Sequence, residues 1–117
     1  MIRKYSKVQW ASLMGEEQNK FLFHFQFSLH KKMDHSLLLD EFLKRLQRIK
    51  FQDGRKIVTI EMEVENIVRK GEEVVYDFNI DTFFEGECSE DWALETMEAA
   101  LSKSIVPFNW MKISIAI

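Results

Sequence analysis

One long β-hairpin, predicted between Lys56 and Glu87, constrains the fold of this chain more than any other feature. Its two arms alternate between apolar and polar residues on either side of a turn at Arg69-Lys70-Gly71, and a period of two is typical of strands with one buried face. Arms of about 12–15 residues are longer than ordinary strands, so we expect surplus strand that contacts a partner. The apolar face is predicted to be Val58, Ile60, Met62 and Val64, followed by Val74, Tyr76, Phe78 and Ile80.

Two other segments show the same alternation. After Lys20, apolar residues alternate with Leu22, His24, Gln26, Ser28 and His30, which predicts a half-buried strand with Phe21, Phe23, Phe25, Phe27 and Leu29 inside. The C-terminal alternation predicts a last strand whose apolar side packs against helices through Met111, Ile113, Ile115 and Ile117.

Two segments have helical periodicity instead. The first lies between Met33 and Lys50, with Ser36 as the predicted N-cap and a stripe of Leu39, Phe42, Leu43, Leu46 and Ile49. The second begins at Ser89 and is expected to end at Pro107, with a stripe of Ala93, Leu94, Met97, Ala100, Leu101 and Ile105.

The order of these elements predicts the fold. Strand, helix, strand, strand, helix, strand is the βαββαβ order of the ferredoxin-like fold, in which two helices cover one face of a four-stranded antiparallel sheet. We therefore expect an α+β protein, with residues 1–20 as an N-terminal arm and residues 21–117 as a single domain.

Composition narrows the function classes. The formal net charge of −3 lacks the basic excess of a general nucleic-acid binder, so we expect no nucleic-acid partner. Cys88 is the only cysteine and can form no internal disulfide. Because no apolar run approaches the roughly 18 residues of a membrane span, we expect a cytoplasmic protein with no membrane partner.

No stretch of the sequence matches a catalytic motif. No serine lies in a G-x-S-x-G elbow, and the four isolated glycines form no phosphate-binding loop. We therefore expect a protein that is not an enzyme and that takes no cofactor.

The polar face of the predicted sheet is the candidate binding site, because its acidity favours a basic partner. Like charges directly opposite each other on neighbouring strands are destabilising, so we expect the register to stagger them, or basic groups to cover them. Imidazole and carboxylate groups also ligate metals and transfer protons, which leaves a metal-dependent enzyme as an alternative. The candidate partner-binding residues are Glu61, Glu63, Glu65, Asp77, Asn79, Asp81, His24 and His30.

The segment from Val75 to Pro107 resembles the second half of the SecB-like export-chaperone family. The resemblance rests on the aromatic-glycine corner Phe83-Phe84-Glu85-Gly86, the acidic helix start after it, and Ser104-Ile105-Val106-Pro107-Phe108. It covers about a third of the chain. The family has no counterpart to the helix after Ser36 and continues helically beyond the proline. The resemblance implies a curved antiparallel sheet, oligomerisation and apolar grooves that hold other protein chains.

These observations favour a non-catalytic protein-binding module, either a chaperone-like holder or an adaptor, that forms a homo-oligomer. Ten phenylalanines and six methionines supply more soft apolar surface than a domain of this size needs for its interior. The alternative is a small phage or bacterial inhibitor, or an antitoxin-type protein, that blocks a partner through its acidic sheet face.

Overall fold

A computed structural model describes residues 19–49 and 57–116. The predicted N-terminal arm therefore lies almost wholly outside the described residues, as does Ile117. The elements follow the predicted order: β1 (Lys20–Leu29), α1 (His35–Gln47), β2 (Ile57–Lys70), β3 (Glu73–Phe84), α2 (Glu90–Ser102) and β4 (Trp110–Ile115).

The four strands form one sheet in the order β2-β3-β1-β4, and every neighbouring pair is antiparallel. The prediction of an α+β fold with the ferredoxin-like order is therefore confirmed. Neither of the two helices in the described part of the chain is long and apolar enough to cross a membrane.

The hairpin does not extend beyond the sheet, so the expectation of surplus strand is wrong. β1 pairs with β3 over ten residues, from Lys20 opposite Phe83 to Leu29 opposite Val74. The length of the hairpin does not by itself imply unpaired strand, because β1 is also long. It has 10 residues, compared with 14 in β2 and 12 in β3. Only β4 is short, since it pairs with β1 over six residues.

The hairpin turn has two residues, Gly71 and Glu72, between the last paired residues Lys70 and Glu73. Gly71 has a φ of 61°, in the left-handed region that other residues adopt only at a cost. Tight hairpins need positive φ at a central position because it matches the twist of the strands. The turn is therefore one to two residues later than predicted.

Two register shifts interrupt β2, one between Ile57 and Thr59 and one between Val64 and Asn66. The first makes Val58 an extra residue, and its side chain is 55% exposed. The prediction that Val58 lies in the core is therefore wrong, because a bulge displaces one residue from the alternation.

The core lies between the sheet and the two helices. It contains the predicted inward residues of β1 and β3, all of which are at most 2% exposed, and α1 contributes Leu38, Phe42 and Leu46. Phe42 contacts Phe25 and Phe27 edge to face, with ring centroids 5.2 and 5.3 Å apart. Most of the phenylalanines thus fill the interior, and no phenylalanine in residues 19–49 and 57–116 is exposed, so in this part of the chain the expected surplus of soft apolar surface is not formed by phenylalanine.

The helices differ from the predictions at their ends. Asp34, not Ser36, caps α1, and its side chain accepts a hydrogen bond of 2.8 Å from the Ser36 N–H. Ser89 caps α2 as predicted. α2 ends at Ser102, five residues before Pro107, so Ile105 lies in the connection to β4 and is 85% exposed, whereas Val106 is buried.

β4 confirms the predicted packing of the C-terminal strand for its described residues. Ile113 is 9% exposed, and Met111 and Ile115 are half-buried against the core. These three side chains face the helices because they lie opposite Phe25, Phe27 and Phe23 of β1.

Candidate functional site

The face of the sheet opposite the helices, here called the open face, carries the predicted polar residues in rows across the strands. One row is Asn66, Asp77, Gln26 and Lys112, the next is Glu63, Asn79, His24 and Ser114, and the next pairs Glu61, Asp81 and Leu22. The register therefore brings together six of the eight candidate residues: Glu61, Glu63, Asp77, Asn79, Asp81 and His24.

The remaining two candidates are placed differently. Glu65 is the extra residue of the second bulge in β2, next to Asn66, and its side chain is exposed. His30 is exposed and follows the end of β1 at Leu29. The prediction that His30 lies on the sheet face is wrong, because the strand ends one residue earlier than its alternation.

Glu61 and Asp81 lie directly opposite each other on β2 and β3. The expectation that the register staggers like charges is therefore wrong for this pair, although amide side chains separate the charges elsewhere: Glu63 faces Asn79, and Asp77 faces Asn66. Burial, and secondarily the Glu61 carboxylate, raises the pKa of Asp81 from 3.8 to about 6. The Oδ1 atom of Asp81 is buried without a hydrogen-bond partner.

His24 and Asp77 form the closest charged contact described on this face. The distance from His24 Nε2 to Asp77 Oδ1 is 3.3 Å, so the two groups are an ion pair when the imidazole is protonated. Both atoms are buried, and their relative orientation does not meet hydrogen-bond geometry. The contact is therefore close in distance without being a hydrogen bond.

The centre of the open face is not accessible. Leu22, Val75 and Asn79 are 3%, 4% and 5% exposed although neither helix lies on this face. Asp77 and Asp81 are half-buried, whereas Glu61 and Glu65 on the edge strand β2 are exposed. The accessible carboxylates of the predicted site are thus at its β2 margin.

Within residues 19–49 and 57–116, no three histidine, cysteine, aspartate or glutamate side chains lie close enough together to hold a metal ion. The rows on the open face place carboxylate and imidazole groups side by side along the strands without converging on one point.

A second surface lies at the end of the sheet that contains the hairpin turn, here called the turn end. There β2 joins β3, β1 ends, α1 begins and the connection from α2 enters β4. The hydroxyl of Tyr76 anchors the start of α1 to this end, because it accepts a hydrogen bond of 2.8 Å from the Met33 N–H and donates one of 3.0 Å to the Met33 carbonyl.

Exposed apolar side chains concentrate at the turn end. Six large apolar side chains are exposed among the described residues, and only Val58 belongs to the opposite end of the sheet. The other five are Met33 (37% exposed), Leu37 (64%), Val68 (37%), Ile105 (85%) and Trp110 (38%). Val68 and Trp110 lie on the open face, in the row nearest the turn with Val75 and Ser28, whereas Met33, Leu37 and Ile105 lie in the connections and the helix start at the same end. Single exposed apolar residues are ordinary, but five of them at one end of the fold indicate an interaction surface.

Comparison with protein-family models, curated proteins and solved structures found no match to this chain. The resemblance to the SecB-like family stays a prediction.

Periodicity does not predict the turn end, because its residues belong to different elements. Leu37 precedes the predicted stripe of α1, and Ile105 continues the predicted stripe of α2. One signal in the sequence is the position of Ile105 after Ser102-Lys103-Ser104, a polar run near a proline that is typical of a helix end.

Proposed function

We propose that this protein is a non-catalytic protein-binding module, acting as a chaperone-like holder or an adaptor. The observation that carries the proposal is the placement of five of the six exposed large apolar side chains at the turn end. Burying such side chains against a partner is favourable by about 25 cal/mol per Å² of apolar surface, and this end offers apolar side chains from α1, β2, β4 and the α2–β4 connection.

Two features support the turn end as the surface used. Its connections are held by hydrogen bonds, since the Tyr76 hydroxyl accepts one from the Met33 N–H and the Asn109 N–H donates one of 2.8 Å to the Ser28 carbonyl. Leu37 and Ile105, the two most exposed apolar side chains, flank segments fixed in this way. A surface that is already ordered loses little conformational entropy on binding.

The test compares three immobilised proteins in a cell lysate: the wild type, the double variant Leu37→Ser/Ile105→Ser, and the control Val58→Ser. All three substituted side chains are exposed, so each variant is expected to keep the wild-type melting temperature. Mass spectrometry of the retained proteins should show the same specific partners on the wild type and Val58→Ser, and their loss on the double variant. Identical retention by all three proteins, or no retention by the wild type, would contradict the proposal.

The second candidate function is inhibition of a basic partner through the acidic β2 margin. The observation that favours it is the exposure of Glu61 and Glu65 on an edge strand. Glu61→Gln/Glu65→Gln tests it in the same retention experiment, because loss of partners from this variant alone would assign binding to the open face.

A further inference from the structure

We propose that the turn end binds an acidic amphipathic segment of a partner protein, meaning a segment in which carboxylates lie beside large apolar side chains. This inference rests on the proposed function and adds the chemistry of the partner. It follows from the charges that accompany the exposed apolar side chains at this end.

Cations outnumber carboxylates at the turn end, although the whole chain has a formal net charge of −3. Five exposed cations lie on its segments: Lys31, Lys32, Arg69, Lys70 and Lys103. They come from the β1–α1 connection, the end of β2 and the segment just after α2, so three separate segments of this end contribute them.

The three carboxylates of this end are Asp34, Glu72 and Glu73, and two of them are already bound. Asp34 accepts the 2.8 Å hydrogen bond that caps α1. Glu73 accepts a 2.7 Å hydrogen bond from the buried hydroxyl of Ser28, which in turn accepts one of 3.2 Å from the Asn109 side chain. Both keep their negative charge, because their donors are neutral, so five cations against three carboxylates give this end a net charge of +2. A cationic group of a partner is therefore disfavoured there.

The exposed apolar residues indicate that the partner also carries apolar side chains. The cations alone would fit any polyanion, including nucleic acid, whereas Leu37 and Ile105 gain nothing from a phosphate backbone. A segment that carries both carboxylates and apolar side chains matches the two kinds of group at once, and charge complementarity then sets its orientation.

The experiment titrates the full chain with fluorescently labelled synthetic peptides and records anisotropy. One peptide is an amphipathic helix of leucine and glutamate, and its matched control has lysine in place of every glutamate. We expect the acidic peptide to bind at least about tenfold more tightly than the basic one, and this preference should shrink as the salt concentration is raised.

Two variants locate the binding. Lys31→Gln/Lys32→Gln should weaken binding of the acidic peptide by about fivefold or more, whereas Arg48→Gln, which removes an exposed cation at the opposite end of α1, should leave it unchanged. Equal binding of the two peptides, or equal effects of the two variants, would overturn the inference.

Vesicles of phosphatidylserine and phosphatidylcholine provide the competing ligand, because anionic lipid also combines negative charge with apolar groups. Binding to these vesicles with no binding of the acidic peptide would assign the turn end to a membrane and overturn the inference. If the lysate experiment retains partners but the acidic peptide does not bind, the proposed function stands and only the partner chemistry is wrong.

Discussion

Among the described residues, Asp81 has a carboxyl group whose pKa lies far above its ordinary value. Burial and the opposing Glu61 raise its pKa to about 6, so the folded state binds a proton more tightly than the unfolded state. The contribution of Asp81 to the free energy of unfolding should therefore fall as the pH rises from about 4 to about 6. Above about pH 6 this contribution should change little.

Asp81→Asn removes the ionisation, so it should stabilise the protein by about 1–2 kcal/mol at pH 7.5, allowing for the solvent that reaches this partly exposed carboxyl. Near pH 4 the variant and the wild type should melt alike. Calorimetry across this pH range measures the difference, with Glu72→Gln as a control that removes an exposed carboxylate from the turn. A stabilisation of equal size at both pH values would show that the raised pKa is not its cause.

Tyr76 joins the core to the start of α1 through its hydroxyl, which is bonded to both backbone groups of Met33. Tyr76→Phe keeps the stacked ring contact with Phe27 but leaves the Met33 N–H and carbonyl without this partner. We expect a loss of about 1–2 kcal/mol, measured by urea unfolding with an unchanged m-value. No loss of stability would mean that water replaces the hydroxyl at no cost.

Among the elements, the hairpin depends on the left-handed conformation of Gly71. A Cβ atom there would meet no other atom within 4 Å, so Gly71→Ala should cost only the conformational penalty of about 1–2 kcal/mol. Gly71→Asn is the matched variant and should cost less, because asparagine tolerates positive φ. Thermal melting that ranks alanine above asparagine would contradict the assigned turn.

β4 contributes to the core through alternate residues. Ile113→Ala should destabilise the fold by about 2–4 kcal/mol because it removes a buried side chain, whereas Lys112→Ala, one residue earlier on the exposed side, should have an effect within about 0.5 kcal/mol. Deleting residues 113–117 should abolish folding. A soluble truncated protein with unchanged melting would show that β4 is an appendage.

The order of the elements could be predicted from the sequence because the hydrophobic period changes sharply from two to 3.6 and back. The first bulge could not be predicted, because Val58 continues the apolar alternation that the backbone interrupts. The second bulge has a trace in the sequence, since two consecutive polar residues, Glu65 and Asn66, separate Val64 from Ile67. The register of Glu61 opposite Asp81 depends on this second bulge.

For the whole molecule, the sequence predicted the acidic open face but not the turn end. Alternate residues of one strand lie on the same face, so alternation alone predicts a polar face but not the pairing of residues across strands. Leu37, Val68 and Ile105 come to the same end only because the ferredoxin-like order brings together the start of α1, the hairpin turn and the entry to β4. Homo-oligomerisation stays a prediction that light scattering can test.

Binding of partners at the turn end is tested by amide chemical-shift mapping with the acidic leucine-glutamate peptide as titrant, because one titration reports the turn end and the acidic rows of the open face together. If the peptide binds at the turn end, the largest shift changes fall in residues 31–37, 68–73 and 103–110, and residues 61–65 and 77–81 are unaffected. Changes concentrated in residues 61–65 and 77–81 would contradict it and place binding on the open face.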